Sequence, residues 1–156
     1  MAASRMLNQN YMEEKIIRTL NGYYYGIMVL TLVLLGAMYY LTSQPDFEAM
    51  NPNGNPGMIL QYVAMFMTLL CIPAGLYMVK FFKPETLDKY RSIATGRILI
   101  VGWTMPMNIA LYYLFGCYKP MMWLAAISAI AWYFTKPTLG KMEQEMTPKD
   151  PNAEDY

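Results

Sequence analysis

Four apolar runs divide the chain, from Tyr23 to Leu41, Met58 to Val79, Ile98 to Phe115 and Pro120 to Phe134, and none of them contains an Asp, Glu, Lys or Arg. A helix on a soluble core is apolar along one stripe and charged along the other, so runs uncharged on every face predict segments surrounded by hydrocarbon. A hydrocarbon layer about 30 Å thick takes about 20 helical residues at 1.5 Å each, and the first three runs are of that order. The fourth has 15 residues. It crosses only if Tyr118 and Thr135 lie at headgroup depth, and a re-entrant or buried segment is its alternative. The pattern predicts an all-α, polytopic membrane protein, a four-transmembrane-helix bundle arranged as two tandem helical hairpins.

Composition agrees: hydrophobic residues make up 56% of the chain and charged residues 15%, below the roughly 25% usual in soluble domains. The placement of charge says more than its sum. Arg5, Lys15 and Arg18 precede the first run; Lys80, Lys83, Lys89, Arg91 and Arg97 lie between the second and third; Lys136, Lys141 and Lys149 follow the fourth. Lys119 is the one base on the other side, where the connection from Thr42 to Gly57 carries Asp46 and Glu48. Basic residues stay cytoplasmic, so both termini are predicted inside. Aromatic belts agree, with Tyr23, Tyr24, Tyr25, Tyr77, Trp132 and Tyr133 at inner ends and Tyr39, Tyr40, Tyr62, Tyr112, Tyr113 and Trp123 at outer ends. The expected location is a cell membrane, a bacterial inner membrane by preference, and the lipid bilayer is the first partner. A net charge of +1 gives no reason to expect nucleic acid.

The first run starts late for a cleaved signal peptide and has no small-residue cleavage site after it, so it is read as a retained helix. Before it, residues 1–22 form a cytoplasmic segment. Leu7, Tyr11, Ile16, Ile17 and Leu20 fall near one helical face and Glu13, Glu14, Lys15 and Arg18 near the other, with Asn10 and Glu13 at capping-box spacing. That pattern suits an amphipathic helix on the inner membrane surface or a solvated lead-in. The remaining divisions are a first hairpin with its cytoplasmic loop (23–90), a second hairpin (91–142) and a polar tail (143–156).

The two hairpins resemble one another. Ala37-Met38-Tyr39-Tyr40-Leu41 ends the first run as Ala110-Leu111-Tyr112-Tyr113-Leu114 ends the third, and the same offset pairs Arg18 with Arg91 and Thr31 with Thr104. Lys83-Pro84-Glu85-Thr86-Leu87-Asp88-Lys89 follows the second run and Lys136-Pro137-Thr138-Leu139-Gly140-Lys141 the fourth, identical at five positions once one residue is skipped. An internal repeat is predicted, its halves related by an axis along the membrane normal. Convergence is the competing account, because interfaces select tyrosine and Lys-Pro stops helices.

Histidine is absent, which excludes a bis-His haem, a histidine metal site and any His-activated nucleophile. With no charge inside the runs, there is also no acid for a proton relay. No cofactor or metal is expected and the chain is read as non-catalytic. Cys71 and Cys117 lie at different depths and are not expected to pair. Met65-Phe66-Met67, Met105-Pro106-Met107 and Met121-Met122 read as packing rather than a thioether metal site, since alternate helical residues point apart.

Among the polar residues of the runs, Asn108 carries the deepest amide and must face protein or water; it binds a ligand or lines a pore, or else fixes packing through a bond to another helix. Pro73 and Pro106 lie near mid-membrane, where kinks open cavities or are simply tolerated. Gly22 and Gly26 form a GxxxG, and Ala125, Ser128 and Ala129 a second small-residue stripe, both suited to close helix contact. The functional expectation is an accessory, assembly or scaffold subunit associated with other membrane proteins. The alternative is a small transporter or channel built by self-association.

Overall fold

A computed structural model describes residues 2–146, with side chains from residue 7 onward. It is all-α: the described residues form five helices and no strand, α1 (Ala2–Thr42), α2 (Asn55–Phe82), α3 (Leu87–Leu114), α4 (Lys119–Phe134) and α5 (Leu139–Met146). Four of these contain the apolar runs. Each boundary follows local chemistry. Pro56 and Pro120 sit in the first turns of α2 and α4, where the missing amide hydrogen is not needed. The α3–α4 turn is made by Gly116 and Cys117, both left-handed at φ 65° and 63°, and the Cys117 amide donates to the Tyr112 carbonyl at 2.9 Å.

By length and composition two helices are long and apolar enough to cross a membrane, α1 from Leu7 to Thr42 and the whole of α2. Only 6% and 17% of their apolar windows is buried within the protein, so these are not the enclosed core helices of a soluble fold. The remaining pair has a different build. The 16-residue α4 is short, and α3 joins its apolar half to a first half carrying Asp88, Lys89, Arg91 and Arg97.

The helix α3 is the hub: it packs extensively on α4, α1 and α2, while α2 and α4 touch less. Its neighbours fix directions. A Cβ at Gly102 would meet the Ile27 side chain at 2.6 Å, and one at Gly75 would meet Val101 at 2.3 Å and the Arg97 carbonyl at 3.6 Å. With Ile16 and Ile17 clustered with Tyr90 at the start of α3, α1 runs parallel to it, whereas Thr68 and Ser128 at Asn108, Gly75 at Val101 and Met121 beside Leu111 and Phe115 set α2 and α4 antiparallel. Two apolar clusters result. One joins Ile16, Ile17, Leu20 and Tyr24 of α1 to Tyr90, Ala94, Ile98 and Val101 of α3, Trp132 of α4 and Met142 of α5. The other, at the opposite end, joins Ala64, Leu111, Phe115 and Met121.

Three features differ from the sequence-based picture. The α1 helix is continuous through residue 22, about 60 Å long at 1.5 Å per residue, and Ile16, Ile17 and Leu20 are buried against protein rather than laid on a surface. Leu7 and Tyr11, from the same expected face, are exposed. Residues 139–146 form one helix, α5, across the expected division between second hairpin and polar tail at 142 and 143; the rest of that tail lies outside the described residues. Arg97, counted among the bases between the second and third runs, lies inside α3 at 2% exposure, because the helix begins at Leu87, well before the apolar run.

The long connection between α1 and α2 is tied to the short one between α3 and α4. The Met50 amide donates to the Leu114 carbonyl at 2.9 Å, and a Cβ at Gly57 would lie 2.1 Å from the Asn51 carbonyl, a position open to glycine only.

Candidate functional site

The interior holds two polar clusters, at different heights along α3. The first centres on Asn108, fully buried, whose Nδ2 donates to Thr68 Oγ1 of α2 at 2.9 Å and to Ser128 Oγ of α4 at 3.1 Å. Thr68 in turn donates to the Ala64 carbonyl at 2.8 Å. Both amide hydrogens of Asn108 are thereby used, and its Oδ1 has no partner among the described residues. One side chain pins three helices together, and this closed arrangement leaves no polar hydrogen of Asn108 for a ligand.

The second cluster lies where α3, α4 and α5 meet. Arg97 Nη1 donates to Glu145 Oε1 at 2.7 Å, and Tyr90 Oη donates to Glu145 Oε2 at 3.0 Å, so α5 is held by both carboxylate oxygens. Lys141 Nζ donates to the Phe134 carbonyl at the end of α4, giving that helix terminus a cation that its dipole favours. Burial, with the Glu145 charge second, pushes the Tyr90 phenol well above its ordinary range. Burial, with the Arg97 charge second, holds the Lys141 amine below its ordinary range, and Glu145 opposes this only in part.

Arg97 is unevenly satisfied. Its side chain is 3% exposed, yet among the described residues Nε and Nη2 have no partner. Trp132 Nε1 is likewise buried and unpaired, while the indole stacks on Tyr24 at 4.0 Å between centroids and 5° between planes.

The remaining sequence-derived candidates are scattered. Pro106 is buried in α3 and Pro73 exposed on α2, and both helices run through them unbroken. A groove of about 480 Å³ on α2 is lined by Tyr62, Val63, Met65, Phe66, Met67 and Leu69, and a wider one on α1 by residues from Tyr11 to Asn21; neither proline lines them. Ser128 faces the bundle interior, with Ala125 half-buried nearby. Gly22 and Gly26 lie on α1, and a Cβ at either would meet nothing within 4 Å. Cys71 and Cys117 are free thiols. Among the described residues no group of three His, Cys, Asp or Glu is placed to hold a metal ion.

Sequence reasoning located Asn108 but missed Tyr90, Arg97, Lys141 and Glu145. A signal was present. Tyr90, Ala94, Arg97 and Val101 continue one helical face back from the third apolar run. The Thr138 hydroxyl accepts from the Lys141 amide as Thr86 accepts from Lys89, each at 3.4 Å, so the recurring Lys-Pro and Thr-Leu segment caps α5 as it caps α3. Compared with protein-family models, with curated proteins and with solved structures, the chain matches none.

Proposed function

We propose that this chain is a four-span integral membrane protein with both termini inside, acting without catalysis as an accessory, assembly or scaffold subunit of a membrane complex. One observation carries the reading. The buried Asn108 amide donates to Thr68 and Ser128 within the chain, while Gly22 and Gly26 of α1 present a small-residue face where an added Cβ would meet nothing within 4 Å. Such a face lets another helix come close, and in a bilayer close packing drives association. In this arrangement Tyr23 to Leu41 of α1 spans, and the preceding turns stand on the cytoplasmic side with the start of α3 and with α5.

The matched capping of α3 and α5 supports an internal repeat. The short α4 would reach both interfaces through Tyr118 and Thr135. The transporter alternative receives less support, because the mid-bundle amide is enclosed by Thr68 and Ser128.

The test is gentle extraction from the native membrane, capture on a C-terminal tag and native mass spectrometry. A stoichiometric foreign membrane protein, lost on Gly26→Leu, is expected. A pure homo-oligomer that conducts solutes in liposomes would instead establish the transporter reading.

A further inference from the structure

The guanidinium of Arg97 has two ways to hold an anion. Its end nitrogen Nη1 is spent on one oxygen of Glu145. Its side edge, formed by Nε and Nη2 with parallel N–H bonds, is the geometry that grips a carboxylate or phosphate with two bonds, and here it is buried without a partner among the described residues. Lys141, half-buried on α5, donates to the Phe134 carbonyl at the end of α4.

We propose that the free edge of Arg97 forms a site for a phosphate group, supplied by the headgroup of an inner-leaflet lipid, with α5, which holds Nη1 through Glu145, displaced to admit it. That helix is small. Of the eight residues of α5 only Met142 is buried, and Leu139, Gly140, Glu143 and Gln144 are exposed. A phosphate taken up beside Nε and Nη2 competes with the Glu145 carboxylate for the same guanidinium. The depth suits a headgroup: Arg97 immediately precedes the apolar stretch from Ile98 to Phe115, and Lys136 lies just beyond the end of α4. The lipid source rests on the membrane reading proposed above; the phosphate chemistry does not.

The experiment uses the full chain in nanodiscs of phosphatidylcholine with and without phosphatidylglycerol, and counts retained lipids by native mass spectrometry. Inorganic phosphate and glycerol 3-phosphate are added to detergent-solubilised protein as soluble arms. Retention of about one phosphatidylglycerol per chain is expected, reduced about tenfold by Arg97→Lys, which keeps the charge but lacks the two-pronged edge. Glu145→Gln, which removes the competing carboxylate, is expected to strengthen retention several-fold, and Lys136→Gln to leave it unchanged. Circular dichroism establishes that each variant is folded. Equal retention by Arg97→Lys, or weaker retention by folded Glu145→Gln, overturns the proposal. Arg97-dependent binding of soluble phosphate with no lipid preference keeps the phosphate site and overturns the lipid source. Extraction of the chain by alkaline carbonate without detergent overturns the membrane reading alone, since the soluble arms still report on Arg97.

Discussion

Arg97 of α3 and Glu145 of α5 form a 2.7 Å ion pair across 48 positions of sequence, with side-chain exposures of 3% and 19%. Removing one member leaves the other charged and poorly solvated. Arg97→Gln is expected to destabilise the protein by about 3 kcal/mol, the low end for a broken buried pair because Glu145 keeps some water. The double variant Arg97→Gln with Glu145→Gln is expected to lose less than the two single losses together. Denaturant titration in micelles measures both, and strict additivity would mean the pair is not coupled.

Asn108 ties α2 and α4 to α3 through one amide nitrogen. Thr68→Val and Ser128→Ala each remove an acceptor, and each is expected to cost roughly 0.6–1 kcal/mol, the usual scale for a hydrogen bond between membrane helices. Asn108→Leu removes both bonds but also the unpartnered buried Oδ1, so its cost is expected to stay below the two losses added. Thermal unfolding of the purified protein reads these values.

Glycines separate contacts made within the chain from those reserved for a partner. Gly75→Val drives new atoms toward Val101 and is expected to cost about 1–3 kcal/mol through overpacking. Gly26→Leu meets open space and is expected to leave the isolated protein as stable as before, or more stable by up to about 1 kcal/mol through helix propensity. The same Gly26→Leu variant is expected to lose its captured partner. Measuring unfolding and capture on both variants distinguishes the two kinds of glycine.

Two groups give stability an alkaline signature of opposite sign. The Tyr90 phenol is raised above its ordinary 10.0 by burial and by Glu145, so above pH 10 the unfolded chain releases that proton while the folded chain keeps it, and stability falls with rising pH. The Lys141 amine is lowered from its ordinary 10.5 by burial and by Arg97. Between its folded value and 10.5 the unfolded chain binds more protons, so stability rises with pH there. Tyr90→Phe is expected to flatten the fall and Lys141→Gln the rise, read from denaturation midpoints between about pH 8 and 11.

Topology is read by placing Asn53→Cys and Glu143→Cys separately in a background lacking Cys71 and Cys117. An impermeant thiol reagent on intact cells is expected to label position 53 and not position 143. Labelling at 143 would put the C-terminal side of α4 outside and remove its crossing.

Much of the helical framework is legible in the sequence because the signal is local. Uncharged runs bounded by Pro, Lys and Gly require backbone groups to bond within their own segment, which only a helix does. The spacing of the runs separates α1 to α4, whereas α5 crosses the expected division between second hairpin and tail. Polarity also singles out Asn108 as a residue that must be enclosed, since an amide in hydrocarbon has no water to fall back on.

Local sequence was thus enough to place the apolar parts of α1 to α4 and to mark Asn108 as a polar group that must be enclosed. The partners came only from the folded chain: Asn108 meets Thr68 and Ser128, Arg97 bonds to Glu145, and Ile16, Ile17 and Leu20 bury against α3. Those choices depend on which helix faces which across tens of residues. Hydropathy is blind to that relation, because a buried pair and two solvated charges have the same composition and differ only in what the fold places beside them.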